Sequence, residues 1–308
     1  GGCGFLGINL VDFLLKKSNA NISILDLNRN KSDRLDELKK EYPKRIDFYK
    51  GSITEMKDVK KALRKCDFIV HLAAEAGVAS SQDKALKDAK INIIGTLNLL
   101  EAGRENGIKK FIFTSSAAVL GEQKTPLKEN QIPRPISPYG ASKLAGEGYC
   151  SAYANSFNLK TVVLRLSNLY GPHSLHKKNL IHKCIKQILG MEKKKITING
   201  DGKQTRDFIY VEDVCRAIFL SLIKEIPHSF NIFHVGTNIE TEVNKVFKML
   251  KTITGKEVKV KKGPPKKGDV RKSCLDFFKL KKELGWYPRY DLENGLKKMI
   301  KWYKTISS

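Results

Sequence analysis

No apolar run in the sequence approaches the ~18 residues that a membrane-spanning helix needs, so we expect a soluble, cytoplasmic chain with no membrane partner. There is no C-x-x-C pair and no dense cysteine framework. Cys3, Cys66, Cys150, Cys184, Cys215 and Cys274 stand singly, which suits a reducing compartment and excludes a disulfide scaffold. Internal repeats, low-complexity linkers and an initiator methionine are also missing. Acidic residues are scarce: 32 Asp and Glu against 57 Lys and Arg give a formal net charge of +25. Such a charge would attract a phosphate backbone. The lysines, however, are spread from "KKSNA" to "KKMIKWYK" and mass in no single stripe. That pattern is a solvated basic surface, with no nucleic acid partner expected; it also suits small polyanionic substrates.

What is present is enough for a sizeable core: 308 residues, 41% hydrophobic, room for one or two domains. The chain opens on "GGCGFLG", a glycine turn leading into a helix whose Ile8, Leu10, Val11, Leu14 and Leu15 fall on one face by their helical spacing. Turns of this kind follow a buried strand, so we expect one of ~5–6 residues to precede Gly1. Strand and helix then alternate. "NISIL" ends on Asp26, Asp33 to Glu41 reads as a helix, "RIDFY" as a strand and "KDVKKALRKC" as a helix. "DFIVHLAA" reads as a strand, Lys84 to Glu105 as a long helix, "KKFIFTSS" as a strand, "ASKLAGEGYCSAYANSF" as a helix and "KTVVLRL" as a strand. This is the pattern of a doubly wound parallel α/β sheet. Beyond Ser167 the alternation loosens into Gly/Pro/Lys-rich loops, with a last amphipathic helix from Leu292 to Lys304. Residues 1–166, with a returning segment near 204–235, read as a dinucleotide-binding domain; 167–203 and 236–308 read as a smaller substrate lobe.

Gly1, Gly4 and Gly7 fit a turn that aims backbone N–H groups and a helix N-terminus at a pyrophosphate. Asp26 closes the next strand 19 positions beyond Gly7, a spacing suited to a carboxylate on the adenosine ribose. It would repel a 2′-phosphate, which favours NAD; Arg29 leaves NADP open. Taken in order, the glycine turn, Asp26, "HLAA", "PYGASK", "RLSNLYGP" and "GDGKQTRDFIYVEDV" resemble the extended short-chain dehydrogenase/reductase family, most closely its nucleotide-sugar 4-epimerases. The likeness extends to "LGWYP" and the last helix. It implies a Rossmann fold, bound NAD contacted also by Phe5, Leu6, Ser52, Ile53, Leu72, Ala73 and Ala74, and a homodimer paired through the helices near 84–105 and 139–157. Ser52 stands where the family usually has an Asp on the adenine amino group.

Tyr139 and Lys143 lie four apart, on one helical face. An ammonium and an oxidised nicotinamide beside the phenol would draw its pKa from ~10 toward the working range. By resemblance Ser116 is the serine on the reacting hydroxyl, with Ser115 the alternative if the register slips. Related 4,6-dehydratases carry an acidic pair just after this position; here Ala117 and Ala118 stand there. The resemblance therefore implies epimerisation at carbon 4 through a 4-keto sugar, with the hydride returned to the opposite face. A 4-keto-sugar reductase shares the Ser/Tyr/Lys set and remains the alternative reading; a non-catalytic NAD-binding or RNA-associated protein is more remote.

For the nucleotide diphosphate the resemblance implies Arg206, with Lys266 in the place of a second arginine, and Asn168 in the substrate lobe. Arg206 could instead pair with Asp207 or Asp213, and Asn168 could cap a turn. Ser273 falls where some epimerases have a bulky Tyr beside carbon 2, which leaves room for an N-acetyl group. Leu120 replaces the common Tyr on the sugar side. His173 and His176 lack an acidic or thiol partner, so no metal is expected.

Overall fold

The computed structural model describes residues 1–27, 33–175, 179–264 and 268–306. The first part of the chain forms α1 (Phe5–Lys17), β1 (Ile22–Asp26), α2 (Asp33–Glu41), β2 (Ile46–Lys50), α3 (Met56–Ala62) and β3 (Phe68–His71). It continues through α4 (Val78–Asp83), α5 (Ala85–Ala89), α6 (Gly95–Glu105), β4 (Lys110–Ser116), α7 (Pro138–Phe157) and β5 (Thr161–Leu166). The remainder contributes β6 (Asn168–Tyr170), α8 (Leu180–Ile188), β7 (Ile196–Asn199), β8 (Thr205–Arg206), β9 (Phe208–Tyr210) and α9 (Val211–Ile223). After these come β10 (Phe230–Val235), β11 (Thr241–Glu242), α10 (Val243–Thr254), β12 (Val260–Gly263), α11 (Phe278–Leu284) and α12 (Leu292–Thr305).

The central sheet is parallel, in the order β10-β5-β4-β3, and β1 and β2 form a separate parallel pair. Every residue of β5 and all but the last of β4 are buried, as expected for strands covered on both faces. One face packs Ile112, Leu164 and Phe233 against α1, α9 and α11. The other packs Phe111, Phe113 and Val163 against α3, α6 and α7. A further core, around Tyr170, Ile185, Leu250 and Met299, joins α8, α10 and α12 to β7 and β9. Among the described residues no helix is long and apolar enough to cross a membrane.

Three elements differ from the sequence reading. The apolar residues of α1 form two stripes: Ile8, Val11 and Leu15 pack on β1 and α2, while Phe5, Leu10 and Leu14 pack toward α9. A helix held between two layers needs both. The strand β3 stops at His71, and Leu72, Ala73 and Ala74 leave the sheet as a loop. That loop turns away because Asn92 bonds both the N–H and the C=O of Glu75. The long helix to Glu105 is continuous from Ala85 but carries a π turn at Lys90–Ile94, a distortion often found near functional sites. Asn92 lies within it.

Candidate active site

The glycine turn works through close approach. A Cβ at Gly7 would lie 2.5 Å from the Gly1 carbonyl oxygen and 2.6 Å from Gly2, so only glycine lets α1 begin this near the turn. Gly4 is the N-cap of α1 and supplies no side-chain acceptor, and no acidic residue occupies the first turn. The N–H groups of Phe5, Leu6 and Gly7 therefore have no acceptor within the helix, next to a positive helix end. The Phe5 ring is buried edge-on to His182, with centroids 5.8 Å apart, so its N–H is what it can offer a ligand. These features fit a pyrophosphate.

Asp26 ends β1, buried, and accepts from the Cys3 N–H at 3.0 Å. It thus braces the glycine turn, a role the spacing did not reveal. The Ser52 hydroxyl closes its own turn, accepting from Thr54 N at 3.1 Å and sharing a 2.8 Å bond with Thr54 Oγ1. The Ile53 carbonyl is held by Asn98 at 3.0 Å. Gly1 packs against the backbone of Leu72 and Ala73. Arg29 lies outside the described residues.

The serine, tyrosine and lysine converge at the end of β4. Ser115 turns inward and donates to Glu147 at 2.5 Å. The Ser116 hydroxyl instead caps the next turn, accepting from Ala118 N at 3.2 Å, on the side where it favours the Tyr139 phenolate. Ser137 caps α7 by accepting from Gly140 N at 3.1 Å, with Pro138 at the first helical position. That fixes Tyr139 in the first turn, where Ser81 Oγ also accepts its N–H at 3.1 Å. One turn on, Lys143 is 3% exposed and donates to the Thr114 carbonyl at 2.9 Å, 4.8 Å above the Phe113 ring centroid. The helix sits this low on β4 because Gly146 faces Phe113: a Cβ there would lie 2.5 Å from the ring.

Burial pushes the Tyr139 phenol up to about 12, against the pull of Ser116, and Asp88 raises it further. This runs opposite to the sequence expectation. In the protein alone, desolvation of a phenolate outweighs the help available to it. Burial lowers Lys143 to about 8, against the pull of Asp88. His71, buried on β3, is held well below its ordinary value by burial and then by Lys143, and so stays neutral.

A cavity of about 310 Å³ lies over the C-terminal part of the chain, lined among others by Asn168, Asn179, Gln204, Arg206 and Asp269. Arg206 pairs with Asp269 at 2.6 Å and donates to its neighbour Thr205 O at 2.7 Å. Asp207 and Asp213 are not its partners. Asp207 accepts from Thr237 and from Leu275 N, while Asp213 accepts from the N–H groups of Arg289 and Tyr290. These two acids anchor the lobe. Asn168 is exposed, its own N–H bonded to Asp207 O. Ser273 is buried and does not line this cavity. Leu120 packs with Val119, Leu127 and Leu275 in a small core rather than facing a sugar. His173 packs edge-on to Trp302; Lys266 and His176 lie outside the described residues. Asp269, Asn179 and Gln204 were not singled out from sequence.

An α/β fold with a parallel sheet, a glycine turn at a helix N-terminus and a Ser/Tyr/Lys cluster at a strand end defines a nucleotide-dependent oxidoreductase-type enzyme. Residues 1–299 match the model of the family described as GDP-mannose 4,6 dehydratase. The chain belongs to this family, the NAD-dependent epimerases and dehydratases of the extended short-chain dehydrogenase/reductase group. It is 34% identical to the UDP-glucuronate 4-epimerase of Thermodesulfobacterium geofontis, over 99% of this chain and 94% of that one. Its fold matches the UDP-glucose 4-epimerase of Thermotoga maritima with UDP-glucose (TM-score 0.91, 37% identity, 100% and 98% of the two chains). It also matches the UDP-glucuronic acid 4-epimerase of Bacillus cereus in complex with UDP-glucuronic acid and NAD (0.91, 30% identity, 99% and 98%).

Proposed function

We propose that the protein is an NAD-dependent epimerase acting at carbon 4 of a nucleotide-diphosphate hexose, of the UDP-glucose or UDP-N-acetylglucosamine type. The observation that carries this reading is the placement of Ser116 at the end of β4 with Tyr139 and buried Lys143 one turn apart on α7, Ser116 being followed directly by Ala117 and Ala118. Proton transfer at one hydroxyl is provided for, whereas the acid and base needed to eliminate water are missing. NAD, held at Gly1 to Gly7, Asp26 and Lys143, supplies the hydride acceptor and donor when bound.

Tyr139, as phenolate, takes the proton of the carbon-4 hydroxyl, and Ser116 orients that hydroxyl beside the phenol. Lys143 stabilises the phenolate and fixes its place through Thr114. Tyr139 keeps the proton while the sugar is a 4-keto species and returns it to the alkoxide of either epimer. Arg206 binds the diphosphate after exchanging Asp269 for it, aided by Lys266, with Asn168 on the same cavity. Ser273, small where a Tyr would crowd carbon 2, admits an N-acetyl group.

We read residues 1–166 with 204–235 as the cofactor unit, and 167–203 with 236–308 as the substrate lobe. Leu86, Ile94, Tyr149 and Phe157, exposed on α5, the π turn and α7, support a homodimer through those helices. Six free thiols support a cytoplasmic setting. The test is incubation with UDP-N-acetylglucosamine, following the carbon-4 configuration by proton NMR. Conversion without net NADH is expected. Inertness toward it and toward UDP-glucose, with NAD added, would overturn the reading.

A further inference from the structure

Two buried charges near the tyrosine lack a contact ion pair. Lys143 donates to a carbonyl and lies over a ring. Asp88, 1% exposed on α5, accepts from Asn92 Nδ2 at 3.1 Å through Oδ2, while its Oδ1 has no hydrogen-bond partner. An isolated buried carboxylate is costly, so something nearby must balance it. The connection runs through Asn92, whose amide also donates to Ser142 Oγ at 3.0 Å; Ser142 donates to the Tyr139 carbonyl at 3.1 Å. The π turn sets Asn92 between the two helices.

The other charges around this region are already engaged or face water. Glu147 on α7 is paired with Arg165 at 2.7 Å, and Glu75 in the preceding loop with Lys87 at 2.9 Å. Asp83 on α4 and Lys84 and Lys90 at the ends of α5 are exposed. His71 on β3 is neutral, its Nε2 bonded to Thr96 at 2.9 Å. Lys143 is the cation left for Asp88 among the described residues, and Asp88 supports the ammonium more than Cys150 or Glu147 does.

We propose that Asp88 is a positioning residue for proton transfer: its buried carboxylate is the counter-charge that keeps Lys143 an ammonium and sets the pH window in which Tyr139 works. The proposal rests on the roles given above to Tyr139 and Lys143. A carboxylate here raises both groups, so removing its charge lowers both.

Asp88→Asn is therefore expected to move both limbs of the kcat–pH profile toward acid by roughly half to one unit, a three- to tenfold change in rate on a limb. Asp88→Glu, which keeps the charge, should leave the limbs in place even if the rate falls. Independently of turnover, tyrosinate absorbance of NAD-loaded Asp88→Asn, with Asp88→Asn/Tyr139→Phe subtracted, should appear at correspondingly lower pH than in wild type with Tyr139→Phe subtracted. Should the asparagine variant not fold, Asp88→Ser, small and neutral, reads the same displacement. A uniform loss of rate with unmoved limbs, or an unmoved tyrosinate midpoint, overturns the proposal. Full turnover by Tyr139→Phe would instead sink the catalytic assignment, while the tyrosinate of wild type against that variant still reports on the group itself.

Discussion

At the glycine turn the groups facing a ligand are backbone N–H groups with no competing side chain, whereas in the cavity across the cleft Arg206 already holds a carboxylate. The turn is built by removing atoms: no Cβ at Gly7, no capping side chain at Gly4. The cavity is built by adding charges, Arg206 against Asp269 and, nearby, Arg271 donating two parallel 2.8 Å hydrogen bonds to Asp201. A cofactor that stays bound is served by the first arrangement, which needs no rearrangement. On the proposed assignment of Arg206 to the diphosphate, a substrate that must enter and leave is served by the second, since a phosphate would exchange with Asp269 at one guanidinium. At the proposed Ser/Tyr/Lys centre, burial keeps the tyrosine protonated in the protein alone, and a cationic nicotinamide ring beside it would favour the phenolate.

The comparison breaks most completely if that centre is removed. Tyr139→Phe should lower kcat by ~10³-fold while NAD still co-purifies, checked by turnover and by released-cofactor absorbance. Next, Gly7→Val should cost ~2–3 kcal/mol through overpacking at the turn and abolish cofactor retention; urea titration and calorimetry with NAD would read both. Stability lost with NAD affinity intact would show that Gly7 serves packing alone. On the opposite side, Arg206→Ala should raise KM for the nucleotide sugar ~10–100-fold, ~1.4–3 kcal/mol, with kcat nearly kept. Equal loss in kcat would place Arg206 in the transition state rather than in uniform binding. Smaller again, Ser273→Tyr should lower kcat/KM for the N-acetylated sugar about tenfold relative to UDP-glucose, of the order expected when a pocket loses a few atoms of space.

The limits of α2 and α12 came within a residue of the sequence reading, because a polar helix and an amphipathic one are each determined by their own residues. The Tyr139/Lys143 spacing is equally local. What escaped depends on contacts distant in sequence. Arg206 finds its partner 63 residues away, and Asp26 reaches back to Cys3 across 23. The π turn at Lys90–Ile94 is no propensity of those residues; it follows from where Asn92 must reach. Ser115 and Ser116 differ by one position in a strand, and alternation sent the first to Glu147 and left the second to cap the next turn. The early end of β3 is of the same kind, since Asn92 holds the loop away from the sheet.

The smallest predicted effect has the sharpest sign. Lys143 is almost wholly buried, and burial lowers it from 10.5 to about 8, so at neutral pH the folded protein holds an ammonium that costs it stability. The penalty, already net of the attraction to Asp88, is about 3 kcal/mol, offset in a methionine variant by loss of the Thr114 bond and the Phe113 contact. Lys143→Met should then be inactive yet more stable by about 1 kcal/mol without cofactor, raising Tm by about 2 °C. Because the folded pKa lies below the unfolded one, the penalty is complete below pH 8. It shrinks as the folded state loses its proton between about 8 and 10.5, and vanishes above. The advantage of methionine should therefore be clear at pH 7 and fade by pH 9.5. A variant less stable at neutral pH, or an advantage that grows with pH, would mean that the lysine belongs to the packing of the fold. Stability gained where activity is lost is what a residue kept for chemistry should show.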